Sequence, residues 1–384
     1  MRHLAVRVAV AFFLGLALVS GLLLGLAVGL PPVVAALYDV GSLSSAARTT
    51  PADRSAAYAV GRVFTVCRSS GCDFSTIQDA VAAAADGDEI RVASGVYSEV
   101  NDVGGMLQVV HLTESVTLRG GYTVTNWEDS KPVSQPTIID PRGSGRGIYV
   151  AGAVSPTIAG LTVTGGDARG AGGPDGGGGI CLVTAAARIQ NARIVGNVAT
   201  MGAGLFVFES DAHVTGSTIA GNTADSGGGV CLMNSGARLQ DNLFTGNTAL
   251  GSSPEGLGGA VCVLGGEPRV EANSFVSNTA IWGGGLYIRD ADPEIVGNEV
   301  LSNTASYGGG IAASEASPRL IVNSLRGNWA EYAGAVFLAL GEATVRGNDV
   351  NGNEADALGG GIYAMDGAAT LRDNDIARNR AGWG

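Results

Sequence analysis

Trp282, Tyr307 and Tyr332 follow one another at intervals of 25 residues, and Tyr287, Phe337 and Tyr363 fall just downstream in the same phase. Aromatic side chains repeated at a fixed step can line one edge of a fold and stack on sugar rings, a membrane or a protein partner, or on one another. The strongest acidic group is Asp290, Asp292 and Glu294, with Glu267 and Glu315 one repeat away on either side. Oxygen ligands at alternate positions suit calcium, a carboxylate pair suits glycoside hydrolysis, and a solvated acidic turn is the third reading. A further column, Arg188, His213, Arg238, Arg269, Glu294 and Arg319, reads as a solvated face with Arg269, Glu294 and Arg319 paired across repeats. His111 and His213 have no evident partners for a nucleophilic triad.

These residues owe their spacing to a repeat. Closing asparagines stand at Asn197, Asn222, Asn247, Asn278, Asn303, Asn328, Asn353 and Asn379, in steps of 25, 25, 31, 25, 25, 25 and 26. One insertion, residues 249–256, accounts for the long step. A period of this length means a stacked solenoid. Apolar residues fill four columns without exception. Examples are Leu205, Val207, Val214 and Ile219 in one unit and Ile311, Ala313, Leu320 and Leu325 in another. Within a unit they alternate over short runs, which is strand periodicity. The spacing predicts an all-β, single-stranded, right-handed parallel β-helix with three short strands per 25-residue coil. A second asparagine series, Asn242, Asn273, Asn298, Asn323, Asn348 and Asn374, marks the bend between second and third strands. The outward column of the first strand reads Cys181, Phe206, Cys231, Cys262, Tyr287, Ala312, Phe337 and Tyr363, with no carboxylate among them.

The two ends differ. Arg2, His3 and Arg7 precede a charge-free stretch from Val8 to Tyr38, the pattern of an export signal. Residues 1–38 fit a cleaved signal peptide and a retained transmembrane anchor equally; an uncleaved segment would contact the membrane, with the N-terminus cytoplasmic and the repeats outside. Residues 39–60 read as a linker and 61–384 as one β-helix domain. That domain divides into a cap (61–100), irregular first coils (101–178) and regular repeats (179–384). The last unit breaks off at Trp383-Gly384, in mid-turn, which implies a fragment of a longer chain or a covered end.

From Asp73 to Asp88 the chain reads as a short amphipathic helix, with Ile77, Val81 and Ala84 on one face and Ser75 or Thr76 as its cap. It resembles the N-terminal cap of pectin-lyase-like β-helix proteins. Gly120-Gly121-Tyr122, Asn126-Trp127 and Thr137-Ile138-Ile139-Asp140 resemble the early coils of bacterial members. Phe244-Thr245-Gly246-Asn247 and Phe275-Val276-Ser277-Asn278 resemble the repeats of polymorphic outer-membrane proteins. The resemblance covers residues 70–384 and implies the fold; its families span lyases, hydrolases, adhesins and proteins without catalysis.

With 23 basic and 35 acidic residues the chain carries a net charge of −12, and Lys131 is its sole lysine. The linear sequence shows no basic stripe, so nucleic acid is not an expected partner. Cys67 and Cys72 flank a short loop, where an exported chain would place a disulfide or leave two thiols. Cys231 and Cys262, on adjacent coils, lie within disulfide reach; the alternative is two small side chains on a strand. The expectation is an exported, extracellular or cell-surface, non-catalytic structural or adhesive module (an adhesin). It needs no cofactor, calcium being a possibility that nothing else in the sequence supports, and its partner is an extracellular glycan or surface protein. The alternative is a polysaccharide lyase or glycoside hydrolase.

Overall fold

The computed structural model describes residues 61–251 and 255–383. The expected signal or anchor and the linker lie outside them. Among the described residues no helix is long and apolar enough to cross a membrane.

The chain winds into a right-handed parallel β-solenoid of about 13 turns. One coil shows the pattern. Ile180–Val183 forms a first strand, Arg188–Gln190 a second and Arg193–Val195 a third. Each strand pairs in register with its equivalents one coil away. The first strands build an 11-stranded sheet (sheet 1), the second a 12-stranded sheet (sheet 2) and the third an 11-stranded sheet (sheet 3). Among the described residues all strand pairings are parallel except the hairpin Asn101–Val103 with Met106–Leu112. A further strand, Val198–Met201, was not apparent from the apolar columns, because its equivalents, such as Thr223–Ser226 and Trp329–Tyr332, share only a central alanine and no large apolar column. Its equivalents make a fourth ladder, of three strands and then four, between sheet 3 and the next coil's sheet 1.

The four apolar columns face one continuous core. Ile180, Leu182, Ile189, Ile194 and their equivalents are fully buried through the central coils. Phe244 stacks on Phe275 inside it, with ring centroids 4.8 Å apart. In the last described coil Leu371 and Ile376 are exposed. At the other end a helix (α1, Ile77–Ala83) packs Ile77, Ala80 and Val81 onto the core, capped by Thr76, whose hydroxyl accepts the Asp79 N–H. Cys67 and Cys72 form a disulfide in the loop ahead of it.

The corners are held by the asparagines. From Asn197 to Asn353 each closing asparagine is buried and uses its amide in both directions. The Oδ1 of Asn303 accepts the backbone N–H and the side-chain N–H of Asn278, at 2.9 and 3.0 Å. Its Nδ2 donates to the Phe275 carbonyl and to Asn328 Oδ1, at 2.9 and 3.0 Å. The chain of bonds runs from Asn197 to Asn379. The second series does the same between sheets 2 and 3 and begins at Ser217, whose hydroxyl accepts the Ala192 N–H in place of an amide. An asparagine can satisfy a bend and its neighbour together because it carries donor and acceptor on one short side chain.

Candidate functional site

Three surfaces follow from this frame: the outer side of sheet 1, the aromatic edge beside it, and the outer face of sheet 2.

Sheet 1 corrects the sequence reading. Its outward column is not exposed: Cys181, Phe206, Cys231, Cys262 and Ala312 are 0% accessible, and Tyr287 and Phe337 are 4% and 2%. The cause is the fourth ladder and the glycine run after it, which fold back over the strand. A Cβ on Gly177 would stand 2.7 Å from Cys181 Cβ, and one on Gly176 would meet the Phe206 ring at 2.7 Å. Gly177 and its equivalents Gly202, Gly227, Gly258, Gly283, Gly308 and Gly359 also have positive φ, so each supplies both the turn and the clearance. A second, narrow apolar layer results, with Ala199, Ala203 and Ala224 packed beside it.

The buried cysteines follow. Cys231 and Cys262 pair in register but are free thiols, as is Cys181, so the bridge considered between the first two is absent. In a parallel ladder their side chains leave the sheet in the same direction. The two thiols share a hydrogen bond, and this bond, with burial second, raises the Cys231 pKa well above its ordinary value. Burial likewise pushes Cys181 up to about 11.

The structure brings the six sequence-selected aromatics into one cluster. Trp282 stacks on Tyr307 at 4.0 Å and Tyr307 on Tyr332 at 5.2 Å, with planes within 13° and 10° of parallel. Phe337 stands edge-on to both Trp282 and Tyr307, and Tyr363 follows at 5.9 Å. Tyr287 shares a 2.9 Å hydrogen bond with Ser314. Trp282, Tyr307 and Tyr332 are half-buried. Both faces of Tyr307 are occupied by its neighbours, so this edge presents ring rims to solvent more than faces. Tyr287 and Phe337, read as outward, lie inside.

The acidic group does not converge. Asp290 lies at 3.5 Å from Arg289 Nε, Asp292 Oδ1 accepts the Ser317 N–H at 3.0 Å, and Glu294 sits on sheet 2 between Arg269 and Arg319. A corner of the coil divides the first residue from the third. Among the described residues no three such side chains are grouped to hold a metal ion.

Sheet 2 carries a feature that was not legible as a stripe in the linear sequence. Its outward positions form two columns, one from Glu89 to Thr370 and one from Arg91 to Arg372. They hold eight arginines and three glutamates, a net of +5 on a chain of net −12. Arg238, Arg269 and Arg319 share Glu271 and Glu294 in a zigzag across four coils, with Arg238 Nε at 2.7 Å from Glu271 and Arg269 Nη1 at 2.6 Å from Glu294. Burial and hydrogen bonding act oppositely on Glu271, and its carboxyl ends below the usual range. The pairing of Arg269, Glu294 and Arg319 was legible from their column; the positive balance of the whole face was not, because its members lie 25 or more residues apart.

A right-handed parallel β-helix is thus the class of protein that this architecture defines. Residues 146–328 match the family model described as a right handed beta helix region. No curated protein matches the chain. Among solved structures, the chain is similar to an alginate lyase from Paenibacillus sp., at 16% identity and a TM-score of 0.30, with 82% of this chain and 99% of that one covered.

Proposed function

We propose that the chain is an exported, non-catalytic β-helix module that acts outside the cell as a structural or adhesive surface. The observation that carries this reading is the sealed outward column of sheet 1 that runs from Cys181 to Phe337. Its side chains are cysteine, phenylalanine, tyrosine and alanine, packed under the glycine runs, so no polysaccharide can reach them. The two unbroken asparagine ladders also support it, since they make the coil stack a rigid scaffold. Export is supported by the Cys67–Cys72 disulfide, which persists in oxidising compartments, and by the basic, then apolar, N-terminal sequence.

The test is incubation of the full chain with a panel of neutral and acidic polysaccharides, followed for new reducing ends and for ultraviolet-absorbing unsaturated ends. The expected result is neither. Sustained release of either product, dependent on enzyme concentration, refutes the reading.

A further inference from the structure

We infer that the outer face of sheet 2 is a docking track for a linear acidic glycan. The inference deepens the reading of the chain as a surface module by naming its partner.

Four properties of the face point to this ligand. The first is charge: +5 is gathered on one sheet while the remainder of the chain is strongly acidic. At physiological salt, interactions beyond about 8 Å are screened, so a ligand on the sheet responds to the local arginines more than to the distant net charge. The second is availability. Arg188 and Arg372 are exposed and have no acidic partner among the described residues, and Arg346 meets Asp373 only at 3.5 Å, with both side chains largely in water. Arg119 is tethered to Glu89 through Nε at 3.3 Å, which leaves its terminal nitrogens for a ligand. Guanidinium groups bind carboxylate and sulfate through paired hydrogen bonds.

The third property is shape. Twelve parallel strands about 4.8 Å apart make a track roughly 50 Å long. Each rung is close to the length of one sugar in an extended chain, so a polymer with a charge on every sugar can meet successive coils. Thr157, Gln190, Thr215 and Gln240 stand between the arginines and can bond hydroxyls. Acidic corner residues such as Asp211 and Asp292 border the track and confine a polyanion to its centre. The fourth property excludes rivals. From Glu89 to Arg372 neither column contains phenylalanine, tyrosine or tryptophan, so the base-stacking platforms that single-stranded nucleic acid requires are missing. The apolar side chains Ala159, Val296 and Ile321 are too few for a membrane surface.

The experiment is retention of the full chain on immobilised polygalacturonate and on a sulfated glycan, beside neutral dextran and single-stranded DNA, in 0.15 M salt. The triple variant Arg188→Glu/Arg346→Glu/Arg372→Glu is compared with Arg193→Glu/Arg326→Glu, which changes arginines on sheet 3. Thermal melts verify that both variants fold. The expected result is binding to one or both acidic glycans, about tenfold weaker in the sheet 2 variant, at most twofold weaker in the sheet 3 variant, and weakened by added salt. No retention on either acidic glycan, equal retention on dextran, tighter retention on DNA, or equal losses in the two variants each overturns the inference. Product release is followed in the same samples. Cleavage with retention still lost in the sheet 2 variant would refute the non-catalytic reading and leave the docking track standing.

Discussion

Replacing Asn303 by alanine removes a side chain that makes four hydrogen bonds inside the solenoid. The Asn278 backbone N–H then faces a buried site with no acceptor, which costs about 1–3 kcal/mol. Three further bonds are lost, at about 0.5–1.5 kcal/mol each. The expected total is about 3–7 kcal/mol, a large share of the 5–15 kcal/mol that holds a typical domain. Aspartate at the same position separates shape from hydrogen bonding. It keeps an acceptor for Asn278 but sets a carboxylate against the Phe275 carbonyl and Asn328 Oδ1, both acceptors, in a site of 0% accessibility. Burial raises such a carboxyl above its unfolded pKa of about 3.9. The penalty is therefore full above the folded pKa and shrinks as pH falls through it, so the gap to the parent protein narrows in acid. Native-state hydrogen exchange at the Asn278 amide, with denaturant melts at pH 7 and pH 5, reads both effects. An alanine variant within about 0.5 kcal/mol of the parent, or an aspartate variant whose deficit is independent of pH, would refute the account of the ladder.

Phe206→Ala should cost about 3–5 kcal/mol, as for any buried phenylalanine, where an exposed outward residue would cost under about 0.5; a denaturant melt decides whether sheet 1 is sealed. Ala333 has φ of 60° where the other regular coils have glycine. Ala333→Gly should relieve about 1–2 kcal/mol of left-handed strain against about 0.4–1 kcal/mol from the freer unfolded chain and about 0.8 kcal/mol from the lost buried methyl, so stability should stay within about 1 kcal/mol of the parent, and a loss above about 2 kcal/mol in a denaturant melt would count against strain there. In the cap, the Arg62 guanidinium and the Ala85 N–H hold the Asp88 carboxyl below its usual range, and Thr65 does the same for Asp73. Both groups stabilise the fold above an unfolded pKa of about 4, and that contribution is lost as pH falls through the lower folded value. Hydrogen exchange should show α1 losing protection in acid before the central coils, and a uniform loss along the solenoid would contradict this.

The repeat, the inward columns, both asparagine series and the cap helix were legible before any coordinates, because each is a local signal multiplied by periodicity. Ile189 or Asn303 alone says little; eight equivalents at one spacing specify a coil and its register, since in-register parallel stacking places like on like. Side-chain pairings across one coil step, such as Arg269 with Glu294, follow from the same register. What lies outside the sheets did not follow. Whether Phe206 and Cys231 meet solvent depends on a segment that leaves the strand pattern, forms a fourth ladder and folds back on glycines. Its glycines signal a turn but not the direction in which it closes. The aromatics recur in phase, yet only their ring orientations show that they stack face to face. The eight arginines of sheet 2 are scattered over nearly 300 residues of an acidic chain, and a charge balance taken along the sequence averages them away. Periodicity determined which residues point inward; the path of the covering segments and the assembly of coils into one face decided which outward residues a partner can reach.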